Sequence, residues 1–482
     1  MKTILNYIDG EFLPSHSNAF LENINPSTGY VYGEIPRSNT SDIDFAIDKA
    51  EIAFKTWSNT TLETRSKTLM RIADLIDENL DQLAMAESND NGKPLHLAKS
   101  VDIPRASANF RFFAHALTQF YSESHESQGK NTINYTLRKA LGLVGCISPW
   151  NLPLYLLTWK IAPALAAGNT VIAKPSEVTP MTAFLLCKIC EKAGLPNGVL
   201  NMIHGLGPEA GQAIVEHPKI KAISFTGGTK TGENIARTAA PMFKKLSLEL
   251  GGKNPNIIFA DCDYEKMMRT TLKSSFANQG QICLCGSRIF VEDKLYEKFK
   301  TDFVNRVKAL KIGHPIEDNT DLGAIVSEPH LKKIKSYIDK AKKDPKMKVL
   351  CGGDLAKVKK FPNGYYLNPC VIEVQDNQCQ LNQEEIFGPV VSMMSFKTEE
   401  EVLKMANDSV YGLSSTLWTQ NLNRSMRMSQ ALETGIVWVN TWLNRDLRTP
   451  FGGTKQSGVG REGGFEALRF FTEPKNVCIE YS

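Results

Sequence analysis

Of the ten cysteines in this chain, at 146, 187, 190, 262, 283, 285, 351, 370, 379 and 478, one has neighbours that chemistry can use. Cys283 lies in FANQGQICLCG, residues 276–286, where amide and small side chains and two glycines surround a thiol. Such a segment brings main-chain N–H groups close to the sulfur, where they stabilise a thiolate and any oxyanion formed beside it. Glu249, in SLELGGK (residues 247–253), ends an apolar run just before two glycines. It either caps or pairs, or, held against apolar neighbours, it has a raised pKa and acts as a general base. Asn151, in PWNLP (residues 149–153), is fixed between prolines. It is either a turn asparagine or an amide poised to donate to a developing negative charge.

Other cysteines read differently. Cys187 and Cys190 form a CxxC inside the apolar helical run AFLLCKIC, with no second pair at zinc spacing, so a structural role is expected and no metal site. Cys146, Cys351, Cys370 and Cys478 have no adjacent functional group, and Cys285 is the one other thiol worth testing for oxidation together with Cys283. Two glycine-rich turns, GLGPEAG with Gly205, Gly207 and Gly211, and FTGGTKTG with Gly227, Gly228 and Gly232, each follow a strand and precede a helix. Both suit a helix N-terminus facing a pyrophosphate, although neither is a GxGxxG fingerprint. Lys174 and Glu177 in KPSE follow another strand; a carboxylate there binds ribose hydroxyls and repels a 2′-phosphate, favouring NAD over NADP.

The elements that must position these residues read as an α/β fold. Between 141 and 252, apolar strands at 143–147, 170–173, 199–203, 222–225 and 246–248 alternate with helices at 154–167, 182–192, 208–216 and 230–238, the pattern of a parallel sheet with ligands at its carboxyl ends. Residues 63–120 read as helical, with Leu69, Ile72, Leu75 and Ile76 on one face and a fresh helix start at Asp102–Ile103–Pro104. A second α/β stretch runs from about 254 to 449, with strands at 256–259 and 288–291. Segments 132–137 and 477–481 alternate with period two and are expected to pair with each other or with a second subunit. The eight lysines of 332–348 lie over an apolar stripe of Ile334, Tyr337, Ile338 and Ala341, which reads as a solvated helix face.

With 482 residues, a net charge of +4 and 42% hydrophobic residues, the composition excludes a small disulfide-stapled fold and gives no sign of a nucleic-acid or membrane binder. Sparse, irregular cysteines, no secretory signal and no long apolar run point to a cytoplasmic protein.

Taken in order, PWNLP, KPSE, FTGGTKTG, LELGGK, NQGQIC and EEIFGPV (residues 384–390) strongly resemble the aldehyde dehydrogenase superfamily, and the likeness runs from NYIDGEF to FGGTKQSGVGRE. The resemblance implies a Rossmann-like NAD-binding domain (1–118 and 140–250), an α/β catalytic domain (251–450) and a small β oligomerisation arm (119–139 and 451–482) that makes a homodimer or homotetramer. It implies Cys283 as nucleophile, Glu249 as general base and Asn151 with the Cys283 amide as oxyanion hole. Trp150, Lys174, Glu177, Gly207, Gly211, Thr226, Gly227, Gly228, Gly232, Glu385 and Phe387 would hold NAD. Gly228 departs from the family's frequent FTGST pattern, which puts one cofactor contact in doubt. An unperturbed thiol is mostly protonated at neutral pH, so local positive potential is expected to favour the thiolate.

Arg105, in DIPRASANFRFF, and Arg445 and Arg448, in NTWLNRDLRTPFGG, fall where the family lines its aldehyde entrance. Guanidinium groups there suit a substrate carboxylate, with Arg105 and Arg445 the binding pair and Arg448 structural. This combination resembles the branch that oxidises 2-aminomuconic or 2-hydroxymuconic semialdehyde in aromatic and tryptophan breakdown. The alternatives are a dehydrogenase for neutral aldehydes, CoA-dependent acyl transfer (against which Glu249 argues), a cysteine hydrolase for which only His204 sits in a turn-like glycine context, and a non-catalytic protein that keeps the fold.

Overall fold

In the computed structural model, which describes residues 2–482, the chain forms two large sheets and three small ones. The first sheet has at its centre five parallel strands in the spatial order Lys245–Glu249, Ile220–Thr226, Leu143–Ile147, Thr170–Lys174, Leu200–Met202. Leu143–Ile147 and Thr170–Lys174 are buried along their whole length, as both faces of the sheet are covered. Their pleat divides the core in two: Val144, Cys146, Val171 and Ala173 pack under the helices Leu62–Glu78, Ile103–Gln119, Pro153–Ala166 and Met181–Lys192, whereas Leu143, Ile147 and Ile172 pack under Thr40–Trp57. Leu69, Ile72, Leu75 and Ile76 are fully buried, each stabilising the fold by about 1.5–3 kcal/mol through burial. Cys187 and Cys190 are buried in the same core, and burial pushes both thiols up, as suits a structural helix pair.

The helix Ile103–Gln119 begins where expected, but not afresh. The preceding residues Ala98–Asp102 form a π turn that runs directly into it, and Asp102 has helical angles and no capping bond. Pro104 lacks an N–H, and a wide turn just upstream is one way to absorb that defect.

The second sheet has seven strands, six of them parallel, in the order Met347–Cys351, Cys370–Val374, Val390–Phe396, Arg288–Glu292, Pro255–Ile258, Ser414–Trp418, Ile436–Val439. The outlying period-two segments pair with each other: Thr132–Ala140 lies antiparallel to Thr472–Glu480, with Ser124–Ser127 on its other edge. Of residues 451–482, expected to form the arm, Thr472–Glu480 joins this three-stranded sheet. Gly458–Val459 adds antiparallel to Lys245–Glu249, and Ala467, Leu468 and Phe471 of the following helix pack into the first core. The lysine-rich helix Glu328–Ala341 buries Leu331, Ile334, Ile338 and Ala341 and exposes most of its charge, as its pattern predicts.

Candidate active site

In the first sheet, successive strands run outward in opposite directions from the line between Leu143–Ile147 and Ile220–Thr226, so a crevice opens beyond their carboxyl ends. The residues just past those ends, Pro149–Asn151 and Thr226–Gly228, line one wall of a cleft of about 250 Å³. The other wall comes from the second unit: Cys283, His330, Lys333, Glu385 and Phe387, with Leu250 and Gly251 between. Residues from five of the six motifs, all but KPSE, thus meet in one place.

Cys283 is held by its main chain. The buried Asn254 side chain donates to the Cys283 and Cys285 carbonyls at 2.7 and 2.9 Å, and the Trp442 indole donates to the Leu284 carbonyl at 2.9 Å. Upstream, Asn278 and Gln279 adopt positive φ (51° and 55°) before Gly280 (70°), where any Cβ would strike the Gly388 carbonyl. The expected positive potential at the sulfur does not materialise. Enclosure, then Glu385 and Glu249, push the thiol well up, and Arg445 opposes them without outweighing them.

Asn151 is buried and its Nδ2 donates to the Gln281 carbonyl at 3.0 Å, which fixes the amide's orientation and leaves its second N–H free. Glu249 is also buried, and one of its carboxylate oxygens has no hydrogen-bond partner. Burial and then the neighbouring Glu462 hold its carboxyl well above the usual range, against the pull of Lys160, Arg445 and Arg461. Glu462 itself accepts from Lys160 at 2.8 Å and Ser224 at 3.1 Å.

The residues assigned to the cofactor are not all equivalent. Trp150, Thr226, Gly227, Gly228, Glu385 and Phe387 line the cleft. Gly228 begins the helix Thr229–Ala239 with no side-chain cap, and a Cβ there would meet nothing within 4 Å, so the helix N-terminus faces open space. The buried Thr226 hydroxyl has no partner. Glu385 accepts from the Gly252 N–H at 2.9 Å, and burial raises its carboxyl. Outside the cleft lining, Lys174 donates to the Pro175 carbonyl at 2.9 Å and to Glu177 at 3.3 Å, and Gly211 backs the Lys174 stem. Gly207 opens on free space, whereas Gly232 does not reach the cleft: a Cβ there would lie 2.4 Å from Leu250, so its smallness serves helix packing. These orphaned donors, the bare helix end and the glycine gap fit a dinucleotide.

Sequence reasoning missed His330 and Lys333. His330 shares a hydrogen bond of 2.7 Å with the Phe387 carbonyl, its ring packs edge-on to Trp150, and burial lowers its pKa to about 4. A neutral ring donating through Nε2 to that carbonyl orients Phe387. His204, by contrast, is buried with both ring nitrogens unpartnered and lines no part of this cleft.

On the far side of Cys283, Arg445 is packed among aromatic rings, 4.0 Å from the Phe451 centroid and 4.8 Å from that of Trp159, and donates to the Tyr155 hydroxyl. Arg105 lies 5.4 Å from the same Tyr155 ring and lines a small cavity with Leu152, Ile282 and Trp442. Among the described residues, neither arginine has a carboxylate within salt-bridge distance, while Arg448 pairs with Asp446 at 2.5 Å on the surface.

A fold of two parallel-sheet units that close on a thiol, a buried carboxylate and a fixed amide defines a class of cysteine-dependent oxidoreductases. The sequence profile of the aldehyde dehydrogenase family matches residues 12–477, and the chain belongs to that family. It is 48% identical to 2-aminomuconic semialdehyde dehydrogenase of Bos taurus over 480 residues, covering 99% of this chain and 98% of the relative. It is 43% identical to 2-hydroxymuconic semialdehyde dehydrogenase of Pseudomonas sp. (strain CF600), with 100% of both chains covered. Its structure matches that of betaine aldehyde dehydrogenase from Staphylococcus aureus in complex with NAD+ with a TM-score of 0.96, at 37% identity, covering 99% of this chain and 95% of the other.

Proposed function

We propose that this protein oxidises an aldehyde bearing a distant carboxylate, of the 2-aminomuconic or 2-hydroxymuconic semialdehyde type, to the acid with NAD as acceptor. The observation that carries the substrate class is the pair of arginines without counter-ions: Arg105 and Arg445 flank Tyr155 beyond Cys283, and Arg445 is held by ring contacts that leave part of its guanidinium for a ligand. A carboxylate arriving there gains charge-assisted hydrogen bonds beside half-buried guanidinium groups packed on aromatic rings.

In this reading the Cys283 thiol gives its proton to water in the cleft as its sulfur adds to the aldehyde carbon, and the free N–H of Asn151 and the Cys283 main-chain N–H hold the oxyanion. NAD, when bound, would supply the hydride acceptor. Glu249, raised by burial, takes a proton from water, which opens the thioester to the acid. Trp150, Thr226, Gly227, Gly228, Glu385 and Phe387 would hold the nicotinamide and pyrophosphate portion of NAD, with Lys174 and Glu177 on the adenosine ribose and Gly207 and Gly211 beside it. Residues 1–118 and 140–250 would form the nucleotide domain, joined by 458–471, and 251–450 the catalytic domain. Exposed Ile133, Leu137 and Ile479 on the three-stranded sheet support a homodimer or homotetramer formed through that arm, which a measured mass decides. Free cysteines and no helix long and apolar enough to cross a membrane, among the described residues, agree with a cytoplasmic setting.

The decisive assay is NADH formation with 2-aminomuconic and 2-hydroxymuconic semialdehydes beside neutral aldehydes of equal length. A preference for the acidic substrates that disappears in Arg445→Ala is the expected result, and equal kcat/KM values for both classes overturn the carboxylate assignment.

A further inference from the structure

Three ionisable side chains that the proposed chemistry does not use lie fully buried next to Asn151. Glu87, Lys93 and Asp102 are each at most 1% exposed. Lys93 spends all three of its N–H donors: on Glu87 at 3.2 Å, on Asp102, and on the main-chain carbonyl of Asn151 at 3.1 Å. The same carbonyl accepts from the Asn278 side chain at 2.9 Å and, more distantly, from Asn91 at 3.3 Å, whose closer contact is the Trp150 carbonyl at 2.9 Å; Asn278 belongs to the positive-φ turn that leads into Cys283. Glu87 turns its second oxygen to the Leu154 N–H at 3.3 Å, at the start of the helix that follows Asn151. Asp102 ends the π turn that precedes Arg105.

A buried ammonium facing two carboxylates is a costly way to fold, because removing charges from water costs several kcal/mol per ion and a hydrophobic replacement is often as stable. Here the arrangement has a geometric product. Burial pushes the Glu87 carboxyl up, and the two carboxylates together hold the Lys93 ammonium above its usual value against the opposing effect of burial.

We propose that Lys93, clamped between Glu87 and Asp102, acts with Asn278 as a positioning residue that fixes the Asn151 peptide and so aims its side-chain amide at the oxyanion. The proposal rests on the reading of Asn151 as oxyanion donor. Lys93 fixes the peptide from the helical side and Asn278 from the Cys283 side, so the amide and the sulfur are held in one register.

The test is the single-turnover rate of NADH formation in the full-length enzyme, measured in the wild type, Asn151→Ala and variants of the clamp. Lys93→Met combined with Asp102→Asn removes the donor and one of the two carboxylates it faces, leaving Glu87, which burial raises and which then lacks the Lys93 cation, to take up a proton, and Asn278→Gly removes the Asn278 donor at a position whose positive φ glycine tolerates. Each is expected to lower the rate about 10- to 100-fold, as for a catalytic group displaced by a fraction of an ångström to 1 Å. The KM for NAD should stay unchanged.

In the Asn151→Ala background both clamp variants should cost less than about twofold, since the group they position is gone. An equal loss in both backgrounds, or a full rate in both clamp variants, overturns the proposal. A wild-type rate in Asn151→Ala alone overturns instead the oxyanion reading beneath it. Should the Lys93 double variant not fold, Asn278→Gly carries the same comparison.

Discussion

On the nucleotide side of Cys283 the cleft is lined by strand ends and small residues, Pro149–Asn151, Thr226–Gly228 and Gly251, whereas the aldehyde side is built from Arg105, Arg445, Tyr155, Trp159 and Phe451, drawn from two helices and a loop. The first wall works through main-chain groups and through space left open by glycine, so its geometry follows from the sheet. The second works through side-chain charge held by aromatic packing. Its cations lack protein counter-ions, so a ligand can supply them, and the same cations act on the chemistry: Arg445 favours the ionised forms of both Cys283 and Glu249. In the proposed reading the nucleotide wall serves many aldehydes, and the arginine wall would distinguish among them while biasing the site's protons.

The largest effect should come from the residue both walls share. Cys283→Ala is expected to lower NAD-dependent aldehyde oxidation by on the order of 10⁴-fold or more for every aldehyde, as removal of a nucleophile does, with NADH binding, read by fluorescence, retained. Undiminished turnover would break the comparison at its root. Glu249→Gln should reduce steady-state turnover by about 10²- to 10⁴-fold yet leave a first-turnover burst of NADH, because hydrolysis fails after the thioester has formed. Loss of the burst together with turnover would place Glu249 before hydride transfer.

Arg445→Ala separates the walls. For a carboxylate-bearing semialdehyde kcat/KM should fall about 30- to 150-fold, the equivalent of about 2–3 kcal/mol for a desolvated charge contact. For a neutral aldehyde the change should be confined to pH. Removing a cation that favours the charged forms raises both Glu249 and Cys283, so activity, which needs them deprotonated, should begin its rise at higher pH than in the wild type. A limb that stays in place would show that Arg445 is electrically remote from the site.

The two walls also differ in how far the sequence discloses them. Cys283, Glu249 and Asn151 are legible because each sits in a short motif whose backbone demands glycine, proline or an apolar strand end. The parallel sheet is legible from strands and helices alternating over one stretch. What stayed hidden depends on packing between distant segments. His330 and Lys333 lie on a helix whose pattern shows only a solvated face, yet its first turns close the cleft. Asn254 gives no sign that it ties down the Cys283 loop. Gly232 looks like its glycine neighbours but answers to Leu250. Asp102 looks like a helix start and is also one of the three members of a buried ion cluster, hidden because its partner Lys93 is nine residues away across a turn. The sign of the potential at Cys283 was misjudged for the same reason: Glu385 and Glu249 lie far from it in sequence and beside it in space.

The smallest effect expected is the one that tests whether arginine content or arginine placement makes the acidic preference. Arg448 lies three residues from Arg445 and carries the same charge, but its side chain is 80% exposed and forks onto Asp446 with contacts of 2.5–3.1 Å. A guanidinium already matched to a carboxylate in water has little to offer a second one, and solvent and salt screen what remains. Arg448→Ala should therefore change kcat/KM for acidic and neutral aldehydes alike by less than about twofold, where Arg445→Ala splits them. Should Arg448→Ala instead weaken the acidic substrate selectively, the attraction would be a diffuse field at the tunnel mouth, and its loss would deepen as salt is lowered. Insensitivity to salt in the wild-type preference, paired with a silent Arg448→Ala, locates the recognition in the aromatic-held Arg445.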